Sequence, residues 1–176
     1  MRNPIVALVL LLLACRPGET QTLRVSPDGI GQLRFCEPLS RVNALWPNVR
    51  DTTIASEGAE WPAKVVQLDK GTILFESSWI DHEYVWRAST DAPSARTSSG
   101  YAVGLTVGDL LDRGVHTTVD LPEGYLIVNL PSEGVSVSID SASARQFHAS
   151  NGSTTAALPR TGQVVRLHAH GPNCSQ

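Results

Sequence analysis

The sequence has no hydrophobic run of transmembrane length and no cluster of basic residues. Its longest apolar stretch, residues 5–14, would span about 15 Å as a helix, half of a bilayer core of about 30 Å. The 14 Lys and Arg residues are scattered along the chain and are outnumbered by 17 Asp and Glu. The chain therefore lacks the features that predict a membrane-spanning helix or a nucleic-acid-binding surface.

Motifs for common enzyme chemistry are missing as well. No phosphate-binding loop, dinucleotide fingerprint or nucleophile elbow occurs along the sequence. Strong helix formers are scarce, whereas Val, Thr, Ser, Gly and Pro are frequent, which favours strands and turns. We therefore expect a fold rich in β-structure, no cofactor and no enzyme activity.

The N-terminus has the features of a cleaved secretory signal. A positive charge precedes the apolar run, and Leu12-Leu13-Ala14-Cys15 resembles the bacterial lipobox, whose cysteine receives a diacylglyceryl group before cleavage. The prediction is a signal peptide over residues 1–14, then lipidated Cys15 and a tether over residues 15–28. Arg16 favours the outer membrane, by similarity to the sorting rule of enteric bacteria, with the domain facing the periplasm. The alternative is a plain signal beside a free or buried cysteine.

Two cysteines, Cys36 and Cys174, remain after the one predicted to be lipidated. Because the periplasm is oxidising, an even pair there predicts a disulfide more readily than a metal site. Such a bond would close a loop of about 139 residues and contribute roughly 4–5 kcal/mol through loop entropy. Two separate buried thiols are the alternative.

A pattern of short strand, helix and antiparallel strands is visible in the first half of the chain. Residues 33–35 alternate as in a short strand, and residues 38–46 predict a helix bounded by two prolines. Three further strands are predicted from β-rich runs with turn residues between them, at residues 64–68, 72–79 and 83–90. The polar stretch 91–100 is expected to be a linker.

The same pattern returns with an offset of about 68 residues. Thr106 followed by Asp109 predicts a helix with a capping box, and residues 125–140 and 163–170 predict strands. The predicted fold class is therefore α+β. It consists of two tandem strand-helix-β-meander repeats, residues 29–90 and 101–174, that form mainly antiparallel sheet.

The repeated opening G-x-T-x-x-x-L, followed by three strands, carries a family resemblance. It is similar to the small domains of SmpA/OmlA-type outer-membrane assembly lipoproteins and to the tandem-repeat β-lactamase inhibitor proteins. Residues 29–170 more closely resemble uncharacterised bacterial lipoproteins with the patterns GxGxLRxG…P and GxxVGxTxxDL. Cys36 stands where the first pattern has glycine. The resemblance implies a module that binds a protein partner in the cell envelope and performs no chemistry.

Two histidines on one predicted strand are the main candidates for a metal site. His168 and His170 would project to the same face of the strand at a spacing that suits metal ligation. No acidic residue or further histidine follows at a familiar spacing, so the usual polar face of a strand is the favoured interpretation. No metal is expected.

All four tryptophans lie in the first half of the chain. Trp61 precedes a proline in a predicted loop and Trp79 lies at a strand end, so both are expected to be partly exposed and to bind a protein partner. Trp46 and Trp86 are expected to pack in the core. The predicted function is a lipid-anchored, non-catalytic interaction or structural module of the envelope. The alternatives are a small hydrolase-like periplasmic enzyme and a ligand-binding protein.

Overall fold

The computed structural model describes residues 22–56, 58–78, 80, 82–114, 117–120, 122, 125–172 and 174. The strands are β1 (Leu23–Ser26), β2 (Gly29–Ile30), β3 (Leu33–Arg34), β4 (Val49–Ser56), β5 (Ala59–Gln67), β6 (Thr72–Ser77), β7 (Val85–Thr90), β8 (Ala95–Arg96), β9 (Thr118–Asp120), β10 (Leu126–Leu130), β11 (Val135–Ile139) and β12 (Val164–His170). The helices are α1 (Arg41–Leu45), α2 (Val107–Asp112) and α3 (Ser141–Ala149). Within the described residues, no helix has the length and apolar character needed to span a membrane.

Eight strands form one antiparallel sheet in the order β4-β5-β6-β7-β12-β11-β10-β9. The strands of the first half of the chain occupy one side of this sheet, and those of the second half occupy the other. The two sets meet where β7 pairs with β12, with Ala88 opposite Ala169 and Thr90 opposite Leu167. The described chain is therefore largely antiparallel β-structure with few helices, which agrees with the predicted α+β class.

The hydrophobic core lies on one face of the large sheet. Buried Phe75, Val137 and Leu167 from the sheet belong to the same apolar cluster as Val42 of α1 and Phe147 of α3. A second sheet, in the order β3-β2-β1-β8 with β1 and β8 parallel, contributes further buried residues to that cluster. We call this side of the large sheet the covered face and the opposite side the open face.

Local sequence signals explain where the helices begin. The Thr106 hydroxyl accepts a hydrogen bond from the Asp109 backbone N–H at 3.0 Å, and the Asp109 carboxylate accepts one from the Thr106 N–H at 2.9 Å. The predicted capping box of α2 is thereby confirmed. The first predicted helix is also present, although α1 covers only Arg41–Leu45 of the expected residues 38–46.

The structure differs from the sequence interpretation in two connecting segments. β1 lies inside the stretch expected to be a tether, so a tether can extend only over the residues that precede Leu23. β8 lies inside the expected linker 91–100, where Ala92 and Ala95 are fully buried. Both segments are short and polar on average, but β1 and β8 pair with each other in parallel and bury the alternate side chains.

Cys36 and Cys174 form a disulfide. Cys36 and Cys174 have their Cα atoms 5.2 Å apart and are separated by 138 positions in the sequence. The predicted pairing is therefore confirmed. Cys36 has a φ of +64°, in the left-handed region that favours glycine, which is the residue of the resembled pattern at this position. Its N–H donates to the Val85 carbonyl oxygen at 2.9 Å, so the disulfide holds Cys174 close to β7.

Candidate functional site: the open face of the large sheet

Trp61 lies on an arm that extends beyond the rest of the sheet. β5 pairs with β4 along its whole length, but β6 pairs with it only from Ala63 onward. Residues 53–56 and 59–62 therefore form a two-stranded projection, which we call the arm. Trp61 pairs with Ile54 across the arm, and both side chains are half-buried. The expectation of a loop at Trp61 is wrong, since it lies within a strand, but its partial exposure is as expected.

Two other residues singled out from the sequence cannot be placed. Cys15, the predicted lipidation site, and Trp79, the second predicted partner-binding tryptophan, lie outside the described residues. Both assignments stay predictions.

An ion pair lies next to the arm on the same face. Side chains alternate between faces along β5, so Trp61 and Ala63 point the same way, and Ala63 is opposite Glu76 of β6. The Arg87 Nε donates to Glu76 Oε1 at 2.9 Å, and the Arg87 Nη2 donates to Glu76 Oε2. Glu76 is only 4% exposed. Because both carboxylate oxygens are bonded, the buried charge is compensated and the Arg87 side chain is held in one position.

A β-bulge brings Trp86 onto the open face. Glu76 pairs with Arg87 and Ser77 pairs with Val85, so Trp86 is an extra residue in β7. The Arg87 guanidinium carbon lies 5.6 Å from the centre of the Trp86 ring, and the His170 ring meets Trp86 edge-on at 5.8 Å. The expectation that Trp86 packs in the core is wrong, because the bulge reverses the alternation at this position.

A buried serine–histidine contact lies on the open face where β11 pairs with β12. His168 Nε2 and the Ser138 hydroxyl are 2.6 Å apart. Burial, together with the smaller effect of the positive charges of Arg166, His170 and Arg87, lowers the pKa of His168 to about 3. A histidine with so low a pKa is a weak general base, because efficient proton transfer needs a pKa near the working pH.

The His168–Ser138 pair also lacks the surroundings of a nucleophile site. No carboxylate of the described residues hydrogen-bonds the His168 ring to orient it, as a catalytic triad requires. His168 and His170 do share the open face, as the spacing predicts. However, the part of the chain that the structure describes has no group of three or more His, Cys, Asp or Glu that could hold a metal ion.

A third group of paired polar side chains lies on the open face, where Asp91 contacts β6 and β12. Asp91 accepts hydrogen bonds from the Thr72 N–H at 2.6 Å and the Thr72 hydroxyl at 3.1 Å, and it lies 3.4 Å from the Arg166 guanidinium. The open face is therefore lined by paired, fixed polar groups, with the half-buried aromatic side chains of Trp61 and Trp86 at its arm end.

The Glu76–Arg87 pair was not found from the sequence. Each residue lies in a predicted strand, but nothing in either strand alone indicates that the two face each other. The register of β6 against β7 and the bulge at Trp86 decide this contact, and both are set by tertiary packing.

Comparisons with known proteins place the fold but not the activity. No family model matches the chain, and no curated protein matches it. Among solved structures, it is similar to the uncharacterized protein yfeY from Escherichia coli, with a TM-score of 0.60 and 13% sequence identity. The likeness covers 84% of this chain and 99% of that chain. The chain therefore shares nearly the whole architecture of that protein, and at this identity the likeness concerns the fold alone.

Proposed function

We propose that this chain is a lipid-anchored protein of the bacterial cell envelope that binds a protein partner without catalysis. The binding surface is the arm together with the adjoining open face around Arg87. The observation that carries the proposal is Trp61 on a two-stranded arm, with which no third strand of the described residues pairs. Two-stranded hairpins are marginally stable by themselves, so an arm of this kind gains from packing against another surface.

The chemistry of the surface supports binding. Tryptophan and arginine are enriched among residues that dominate binding energy at interfaces. Trp61 and Trp86 provide large apolar areas, and the ion pair with Glu76 already fixes Arg87. A partner would therefore meet a side chain that has little rotamer entropy left to lose.

The membrane anchor is proposed from the sequence, at Cys15. Since β1 begins at Leu23, a tether of residues 16–22 would reach at most about 25 Å when fully extended. A domain held so close to the membrane meets envelope proteins at a high effective concentration. Modest affinity at the arm would then suffice for a stable association.

A duplicated origin for the two halves is part of the proposal. In each half, a short helix precedes four strands that enter the large sheet: α1 before β4 to β7, and α2 before β9 to β12. The order of the sheet places the last strand of each half at its centre, which supports a two-fold relation between halves. This arrangement is compatible with the proposed kinship to SmpA/OmlA-type lipoproteins and β-lactamase inhibitor proteins. The insertion of α3 before β12 is the main difference between the halves.

The partner surface is tested with Trp61→Ala. We expect capture of the native partner by photo-crosslinking from the arm to fall tenfold or more, on the order of a hot-spot loss, with little change in the melting temperature. Tyr125→Ala is the matched control, because Tyr125 is 66% exposed and precedes β10, five strands from β5 in the sheet. Equal loss of capture in both variants, or unfolding of Trp61→Ala, would contradict the proposed surface.

The anchor is tested by metabolic labelling with a clickable fatty acid. The wild-type chain should carry the label and Cys15→Ala should not, because the thiol of Cys15 is the proposed acceptor. Cys36→Ala serves as the control for loss of a cysteine elsewhere. Equal labelling of the wild type and Cys15→Ala would exclude the anchor.

A further inference from the structure

An open cleft lies at the end of the molecule where the described chain begins. It has a volume of about 1010 Å³ and is bordered by β1, the end of α1, the β5–β6 turn and the segment before β8. This volume is at the upper limit of ordinary ligand sites, which range over about 300–1,000 Å³. The cleft is on the side of the small sheet and is separate from the arm and the Glu76–Arg87 pair.

The wall of the cleft has an apolar part. Leu45 and Trp46 at the end of α1, Leu68 in the β5–β6 turn and Leu23 of β1 all line it, and all four are only partly buried. Trp46 also packs on the core, with its ring centre 5.2 Å from that of Phe75. The apolar part is therefore continuous with the hydrophobic core and rigidly supported from behind.

The rim of the cleft is basic, in a chain that is acidic overall. Arg24, Lys70 and Arg96 line the cleft together with a single acidic residue, Asp69. All three basic side chains are exposed, and none has an ion pair among the residues that the structure describes. Unpaired cations from three separate segments that converge on one cleft form a site for an anionic group.

The position of the cleft relative to the proposed anchor points to a lipid. Thr22 and Leu23 form part of its wall, and only residues 16–21 separate them from Cys15. Six residues reach at most about 20 Å, so an anchored chain would hold the cleft within reach of the headgroup layer. Apolar wall, basic rim and membrane proximity together match an anionic amphiphile.

We infer that this cleft binds one anionic phospholipid of the membrane that holds the chain. The phosphate would lie among Arg24, Lys70 and Arg96, and an acyl chain would lie against Leu45, Trp46 and Leu68. Basic pockets close to a membrane are known to hold anionic headgroups, with a gain from each Lys or Arg that contributes. The placement at the membrane rests on the proposed anchor, whereas the composition of the cleft does not.

The test uses the full chain in vesicles that contain a trace of phospholipid with a photoreactive acyl chain. Labelling with phosphatidylglycerol should map to residues 45–48 or 67–70 and should exceed labelling with phosphatidylcholine about tenfold. Lys70→Glu and Arg96→Glu should each reduce the phosphatidylglycerol signal towards the phosphatidylcholine level. Arg145→Glu, an equal charge change on the exposed side of α3, should leave it unchanged.

Three results would overturn the inference. They are equal labelling by the two lipids, labelling unaffected by Lys70→Glu and Arg96→Glu, and loss of the signal on addition of millimolar inorganic phosphate, which would indicate a site for free anions. The anchor is scored separately by fatty-acid labelling of Cys15. If that labelling is absent while the chain added to preformed vesicles still labels in the cleft, the anchor fails and the lipid site stands.

Discussion

Cys36 combines a disulfide with a backbone conformation that few side chains adopt. Its φ of +64° places the Cβ atom near the following carbonyl, which costs roughly 1–2 kcal/mol for residues other than glycine. The disulfide to Cys174 requires a side chain at this position and therefore excludes glycine. The resembled pattern, with glycine here, would avoid the backbone cost but would have no such bond.

The backbone cost at Cys36 is measurable once the disulfide is removed. In a Cys174→Ala background, we expect Cys36→Gly to be more stable than Cys36→Ala by about 1 kcal/mol, because only glycine relieves the left-handed conformation. Urea unfolding of the two double variants gives the difference directly. Greater stability of the alanine variant would show that residue 36 relaxes to another conformation without its partner.

His168 makes the fold sensitive to acid. The folded chain keeps this ring neutral down to its pKa of about 3, whereas an unfolded chain takes up the proton near pH 6.5. Acidification through this window therefore favours the unfolded state. Between about pH 7.5 and about pH 4.5, we expect the free energy of unfolding to fall by about 2–3 kcal/mol through this group.

The measurement compares urea unfolding at the two pH values for the wild type and for His168→Gln. The variant should lose less stability than the wild type on acidification, because glutamine does not titrate. His148→Gln, at the exposed end of α3, is the control and should behave like the wild type. The same pH dependence in wild type and His168→Gln would mean that His168 does not cause it.

At the scale of elements, α3 depends on one carboxylate. Asp140 accepts hydrogen bonds from the N–H groups of Ala142 at 3.1 Å, Ser143 at 2.9 Å and Gln163 at 2.7 Å. Partial burial would raise the pKa of Asp140, but these bonds and that of the Ser143 hydroxyl lower it overall. The residue therefore caps α3 and also ties the helix to the start of β12.

Replacing this cap should weaken both elements. We expect Asp140→Ala to lower the free energy of unfolding by about 0.5–2 kcal/mol, the usual range for loss of an N-cap. Ser141→Ala is the matched control, since Ser141 is the next residue and is exposed. Denaturant unfolding at neutral pH measures both variants, and equal effects would indicate that the cap contributes little.

The elements that the sequence predicts well are those with a local signal. The Gly-containing turn between β5 and β6 and the Thr106–Asp109 box are examples, because their chemistry is complete within a few residues. α3 was missed, since its serine-rich first turn has a weak propensity and Asp140 becomes a cap only through contacts with Gln163. β4 was missed because, as an edge strand, it has no continuous apolar side.

The candidate site was less predictable than the fold. Trp61 was found from its flanking proline, yet its neighbours Glu76, Arg87 and Trp86 came together only through strand register and a bulge. A one-residue slip in register would send these side chains to the opposite face, so strand patterns alone do not identify such a cluster. The cleft beside β1 likewise draws its three basic residues from segments far apart in sequence.

At the scale of the whole molecule, the order of strands has a consequence for the time course of folding. β12 is the last of the described strands in chain order, yet it occupies the middle of the large sheet between β7 and β11. Until it arrives, β7 and β11 each have an edge without a partner, and pairing of Thr90 with Leu167 must close a long loop. Topologies of this kind fold slowly and leave intermediates prone to aggregation. In the proposed envelope location, a chain exported N-terminus first would therefore wait as two incomplete half-sheets, exposed to chaperones, until β12 emerges.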